Sequence, residues 1–244
     1  VLRAPTATLR GETLPSAVRF AAMYAPASPL DYFRLLVGDA GAADIPLFEA
    51  AASLALDAYP GLDLQASLES VDGLARDLAD ACRGATTEAG RLRRTLHFFF
   101  VARGFAGNVR DYYDPDNSYL HRVLETRRGI PISLAVLFAE LARHVGLDVE
   151  GIPFPGHFLV RVNLHEGVAV IDPFLGRSLD REELERRAAP YGLPVERLLL
   201  PASARQILIR MLNNLAAIHA QQGSRELLDL VEQRLHILGV SPTA

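Results

Sequence analysis

From Asp31 to Arg103 apolar residues recur at intervals of three and four, the spacing that lines one face of an α-helix. The stretch DIPLFEAAASLALDAYP, with Pro near its start and Pro at its end, predicts a first helix. DLQASLESVDGLARDLADACRG predicts a second, with Leu64, Leu68, Val71, Leu74 and Leu78 on one face and Gly84 as its stop. TEAGRLRRTLHFFFVARGFAGN predicts a third, facing the core with Leu92, Leu96, Phe99 and Phe100 and ended by Gly104 and Gly107. The first 30 residues, rich in Ala and Pro, show no such rhythm and read as loosely attached.

Polar residues then interrupt the pattern. Asp114, Pro115, Asp116 and Asn117 form a turn that caps a short helix from about Ser118 to Arg127, stopped by Gly129. Pro131 suits the first turn of the next helix, where its missing N–H would have no partner anyway. Leu134, Leu137, Phe138, Leu141 and Val145 bury one face of that helix, and Gly146 ends it. Val149–Pro153, Phe158–Val162 and Val168–Ile171 then read as short strands, the last two joined by the hairpin loop NLHEG. After Asp180 come a short charged helix, the Pro-marked linker APYGLPVERLLLP, and helices over about Ala204–Gln222 and Ser224–Leu238 separated by Gly223. The expected fold class is α+β: a helical N-terminal part, a core with a small antiparallel sheet, and a helical hairpin at the C-terminus. The expected divisions are an extension over 1–40, a helical subdomain over 41–107, the core over 108–190 and the helical pair over 200–244. One helical pair cannot bury its own apolar face, so it must lean on the core.

Composition narrows the function classes. Half of the chain is hydrophobic and charged residues are 22%, with a net charge of −4, so a substantial core is available. No apolar run approaches the roughly 20 residues of a bilayer span, and the N-terminus lacks a basic region followed by an apolar run. No membrane association and no secretory signal are therefore expected. Cys82 is the only cysteine, which rules out an internal disulfide and leaves a cytoplasmic location as the expectation. There is no Lys, so neither Schiff-base chemistry nor a lysine-headed phosphate loop is available. Residues 39–80 hold nine acids and one Arg, whereas 83–128 hold nine Arg and five acids. These segments either neutralise one another or leave an anion-binding groove on the basic one. With a negative net charge and no recognition motif, no nucleic-acid partner is expected.

Candidate chemistry lies between Arg127 and Phe174. In a thiol acyl-transfer site the nucleophile sits at a helix start, where backbone N–H groups and the helix dipole stabilise a thiolate and an oxyanion. A His on a neighbouring strand takes the proton and a carboxylate orients it. Here the helix start is Ile130–Ser133, the His is His157 and the carboxylate is Asp172, but the stretch holds no cysteine. Alone, Asp172 in DPF is also an ordinary turn former. The hydroxyl of Ser133 either substitutes for the thiol or bonds backbone at the helix start. Cys82, at the end of the second predicted helix, reads as a small buried filler. Asn108, Asp114, Asn117, Arg127 and Arg128 either line a cleft beside His157 or form a buried network that ties a loop to the core. Glu140 and His144, four residues apart, read as a solvated helix face. With neither an HExxH run nor a paired-cysteine motif, no metal and no cofactor are expected.

The run GFAGNVRDYYDPDNSYLHRVLETRRGIPISLAVLFAELARHVGLDVEGIPFPGHFLVRV, then VIDPFLG, then RMLNNLAAIHAQQG, resembles the bacterial SirB-like proteins over about residues 45–240. These are members of the transglutaminase-like superfamily with a tetratricopeptide-like tail. The resemblance implies a papain-like α+β core preceded by helices, with His157 and Asp172 in the positions of the catalytic His and Asp. It also implies that the catalytic Cys position falls near Pro131–Ser133, where this chain has none. The expectation is a transglutaminase-like protein without its nucleophilic Cys, acting as a binding, scaffolding or regulatory module, with a protein partner held through the C-terminal helices. The alternative is a hydrolase or acyl transferase using Ser133, His157 and Asp172.

Overall fold

The computed structural model describes residues 28–38 and 45–240. It is an α+β fold with a four-stranded antiparallel sheet and a separate two-stranded pair. Most of the expected loose extension lies outside the described residues. The helical pattern expected from Asp31 onward opens with helix α1, Pro29–Val37, capped by the Ser28 side chain, with Tyr32, Phe33, Leu36 and Val37 buried.

The first expected helix is shorter than its pattern. Helix α2 spans Leu47–Ser53. Beyond it the chain tightens into turns bonded three residues back, Leu54 to Ala51, Ala55 to Ala52 and Leu56 to Ser53. Helix α3, Leu64–Ala81, follows its prediction, with Asp63 as N-cap and Val71, Leu74 and Leu78 buried. Helix α4, Glu88–Leu96, does not continue as an α-helix; His97–Ala102 widens into a π-helical turn. The extra residue rotates the aromatic run, so Phe98 is buried along with Phe99, while Phe100 is only half-buried. Phe99 stacks on Phe105 at 4.4 Å and meets Phe138 edge-on at 5.4 Å. Acidic and basic segments do meet here, as in the 2.5 Å pair of Arg103 with Asp77.

A parallel pair of two-residue strands, β1 (Ala106–Gly107) and β2 (Arg128–Gly129), was not visible in the pattern. It brackets helix α5, Leu120–Thr126. That helix is ended not by Gly129 but by Arg127, which takes the left-handed conformation at φ 60°. Gly129 instead lies in β2, where a Cβ would come within 2.7 Å of the Ser133 hydroxyl oxygen.

Helix α6, Pro131–His144, starts at Pro131 and runs through the centre of the molecule. It is buried on nearly every side, from Pro131 through Ala139, which is why its sequence is apolar almost all round. The sheet is a meander of β3 (Asp148–Ile152), β4 (Leu159–Leu164), β5 (Gly167–Asp172) and β6 (Arg177–Leu179). Its two-residue periodicity sorts side chains to two faces. Val149, Val160, Val162 and Ile171 join α6 in the main core. Ile152, Leu159, Val170 and Leu179 form a smaller cluster with Leu184 and Ala188 of α7 (Arg181–Ala188) and Val195 of α8 (Val195–Leu198).

The C-terminal pair is α9 (Ala204–Gln222) and α10 (Arg225–Ile237), turned at Gly223 with φ 72°. It leans on the core as expected. Ile207, Leu208, Met211, Leu212 and Leu215 enter the main cluster. The Ala202 N–H also bonds the Gly151 carbonyl of β3 at 2.9 Å.

Candidate functional site

Strand register brings His157 and Asp172 together. Val160 on β4 faces Ile171 on β5, so the residue ending β5 lies at the same edge as the loop that enters β4. His157 Nε2 is 2.8 Å from Asp172 Oδ1; the imidazole is about one-fifth exposed and the carboxylate is fully buried. Asp172 is also the turn former its sequence suggested. Its Oδ1 accepts from the Phe174 and Leu175 N–H groups at 3.1 and 3.0 Å, so one oxygen builds the DPFLG turn and holds the imidazole. Its Oδ2 accepts from Arg187 of α7 at 3.0 Å. Burial alone would raise the carboxyl pKa; the hydrogen bonds from His157, the Leu175 N–H and Arg187 outweigh it and hold the group below the usual range.

Arg187 is itself held by Glu183 at 2.8 Å, and Glu183 takes both terminal nitrogens of Arg177 at 2.7 Å. The Arg177 bonds, with those of Arg187, lower the Glu183 pKa to about 2. Nothing in the charged pattern of α7 distinguished Arg187 from its solvated neighbours, so the sequence did not reveal this relay.

With Asp172 ionised, the proton on the 2.8 Å bond belongs to Nε2, which leaves Nδ1 as the free proton acceptor of the neutral ring. Nδ1 makes no hydrogen bond among the described residues. The ring meets Phe174 edge-on at 6.2 Å, and Phe174 meets Tyr112 at 5.8 Å. Phe174 lies directly on Gly107: its carbonyl accepts the Gly107 N–H at 3.2 Å, and its ring fills the place a Cβ would take. The imidazole therefore opens beside an aromatic wall, with Tyr112 and Tyr113 exposed at its rim.

The residues nominated as nucleophiles lie elsewhere. The Ser133 hydroxyl is fully buried, donates to the Asn117 carbonyl at 2.6 Å and accepts from the Ile130 N–H at 3.1 Å. It makes no hydrogen bond with His157. Cys82 is buried at the C-cap of α3, with Sγ turned toward the Arg91 carbonyl of α4. The first residue of α6 is Pro131, which carries no reactive group.

The polar segment behaves as a network. Asn108 Nδ2 donates to Asn117 Oδ1 at 2.9 Å, and Asn117 Nδ2 donates to the Asp111 and Tyr112 carbonyls. Together with Ser133 on the Asn117 carbonyl, this ties the loop before α5 to the start of α6. Asp114 caps the short 3-10 turn Pro115–Asn117 rather than α5. Arg127 stacks over Phe105 at 4.6 Å, and Arg128 donates to the Gly104 carbonyl. Neither Arg is bonded to the His157 pair.

A cavity of about 740 Å³ lies away from His157, between α2, α3, the end of α6, β3 and residues 201–204. Glu140, half-buried, and His144, exposed, lie along it. Burial raises the Glu140 pKa. Among the described residues no group of three or more His, Cys, Asp or Glu is placed to hold a metal ion, and no helix is long and apolar enough to cross a membrane.

The fold sets a central helix, α6, on an antiparallel sheet, with His157 in the loop entering β4 and the buried Asp172 ending β5. The family profile described as the transglutaminase-like superfamily matches residues 65–213, more than half of the chain, and the chain belongs to that superfamily. It is 42% identical over 188 residues to a UPF0162 protein of Xylella fastidiosa (strain Temecula1), covering 72% of this chain and 66% of the relative. A UPF0162 protein of Pseudomonas aeruginosa is 32% identical over 185 residues, with the same two coverages. The chain thus spans 66% of the length of these curated relatives. F-box only protein 21 of Mus musculus is 32% identical over 148 residues, which is 54% of this chain and 22% of that protein. No solved structure matches the chain significantly.

Proposed function

We propose that this protein is a non-catalytic binding or scaffolding module, a transglutaminase-like fold of the SirB-like kind that keeps the His–Asp pair and lacks the nucleophile. The observation that carries this reading is the mismatch at the site. The base and its orienting carboxylate are assembled, with Asp172 accepting four hydrogen bonds, whereas the one thiol is sealed between α3 and α4 and the Ser133 hydroxyl is committed to backbone. A proton acceptor at Nδ1 beside an aromatic wall suits a ligand that offers an N–H or O–H donor next to an apolar group. The tetratricopeptide-like α9–α10 pair is the second contact surface, for a protein partner in the bacterial cytoplasm. The 22% share that a similar stretch takes in F-box only protein 21 supports a fold that serves as one part of longer chains.

The test has two arms. Incubation with a glutamine-containing peptide and a primary amine, and with activated ester substrates, gives no turnover above that of His157→Ala. Turnover that persists in Cys82→Ala and vanishes in Ser133→Ala overturns the reading in favour of a serine hydrolase or acyl transferase. For binding, a co-purifying partner is released by His157→Ala if the cleft holds it. It is released by Asp229→Arg with Glu232→Arg, on the exposed face of α10, if the helical pair holds it.

A further inference from the structure

His157 does not sit in a strand; it lies in the loop between β3 and β4, and something must hold that loop still for the imidazole to meet Asp172. The loop's own backbone supplies little: the Phe154 N–H bonds the Ile152 carbonyl at 2.8 Å, and the His157 N–H bonds the Phe154 carbonyl at 2.9 Å. The His157 carbonyl is taken from outside. Arg210 of α9 donates through one terminal nitrogen to the His157 carbonyl at 2.6 Å, with the Phe154 carbonyl at 3.5 Å. Its guanidinium lies over the Phe158 ring at 5.4 Å, and it has no carboxylate partner within ion-pair distance among the described residues. A half-buried guanidinium spent on carbonyls and an aromatic face, rather than on an acid, is costly unless it fixes something. What it spans is the loop from Phe154 to Phe158, with His157 between.

The anchor is firm. Helix α9 is seated on β3 beside this loop, where a Cβ on Gly151 would meet Phe158 at 2.9 Å and Ile207 at 3.0 Å. The matched family region, 65–213, runs past Arg210 into α9.

We propose that Arg210 is the positioning residue of His157, and that the C-terminal helical pair thereby sets the orientation of the imidazole against Asp172. This rests on the His157–Asp172 pair being the functional site, but its test needs no ligand, so it fails or stands separately from the binding reading. Arg187 does the same for Asp172 from the other side. The site is therefore clamped from two helices, α7 on the acid and α9 on the base, and neither clamp touches the free Nδ1.

The experiment reads the imidazole of the full chain by two-dimensional proton–nitrogen spectroscopy at pH 8, with His157 assigned by His157→Gln. Wild type gives an Nε2–H tautomer with a proton protected from water by the Asp172 bond. Arg210→Met keeps an apolar stem over Phe158 and removes the donors; there the protected proton exchanges with water at least tenfold faster and the single-tautomer pattern is lost. Arg210→Lys, which reaches the same carbonyl with one donor, recovers much of the signal. Arg205→Met, five residues earlier on α9 and bonded to the Val37 carbonyl instead, leaves it unchanged. A folded Met variant that keeps the wild-type pattern, or a folded Lys variant that restores nothing, overturns the proposal. Arg210→Leu replaces the Met variant if the latter does not fold, with the same two readings.

Discussion

Asp172 shows how one side chain can satisfy two readings at once. It is a turn former and the acid partner of a His, because its two oxygens have room for four donors. Replacing it with Asn keeps the shape but turns an N–H₂ toward Arg187. The expected cost is about 1–3 kcal/mol in a urea titration, at the low end of a broken buried pair because Arg187 is partly solvated. Gly107 is constrained differently. It must lack a side chain because Phe174 rests on its α-carbon. Gly107→Ala should cost about 1–3 kcal/mol by overpacking and push Phe174 against the imidazole, visible as a shift of the His157 ring signals. Of this site, His157, Asp172 and the missing thiol were legible in the sequence because strand order and turn chemistry are local patterns. Arg187 and Arg210 were not, since each lies in a helix whose pattern is that of an ordinary surface; the segment holding Tyr112 was singled out, but for its polar residues.

Elements are joined by a second buried polar group beneath the C-terminal pair. Tyr119 of the α5 entry bonds His219 of α9 at 3.0 Å, and Arg234 of α10 pairs with Asp57 after α2. His121 packs edge-on to Tyr59 at 4.5 Å, and burial, with the hydroxyl's bond to Asp116, raises the Tyr59 pKa to about 12. Burial lowers the pKa of both His121 and His219 from 6.5. Because the folded values lie below the unfolded one, the unfolded chain takes up protons first as pH falls. Stability contributed by these neutral rings is fully present above about pH 6.5 and is lost progressively below it. Melting temperature should therefore fall between pH 7 and pH 5, and His219→Gln with His121→Gln should flatten that fall. The raised pKa of Glu49 and Glu140, both driven first by burial, acts in the opposite sense, favouring the fold as these acids protonate. Asp172, held low, adds a loss only in stronger acid. Arg234→Met leaves the Asp57 carboxylate without its ion-pair partner and should cost about 3–5 kcal/mol, while Arg234→Met with Asp57→Leu recovers much of it. Equilibrium denaturation of the two variants checks the difference.

At the scale of the whole molecule, the expected division between core and helical pair meets continuous packing. Leu208, Met211, Leu212 and Leu215 of α9 belong to the same cluster as Leu134, Leu137 and Phe138 of α6. A chain ended at residue 200 exposes that surface and also loses Arg210. It should show no cooperative melting transition and rapid digestion by protease, whereas a fragment that melts cooperatively would establish a separable core.

The sequence by itself determined most of the long helices and the three strands β3 to β5, that helix α6 begins at Pro131, and that a His and an Asp close a hairpin with no thiol beside them. Those are matters of periodicity, capping and spacing within a few tens of residues, where local sterics and solvent exclusion dominate. Only the tertiary structure decided that the aromatic run turns through a π-helical step, that Arg127 rather than Gly129 ends α5, and that Ser133 is spent on the Asn117 carbonyl. It also decided that two arginines from distant helices reach the pair from either side. Those outcomes depend on which groups are left to find partners once distant segments have packed, and a buried donor takes the nearest acceptor in space, wherever that lies along the chain.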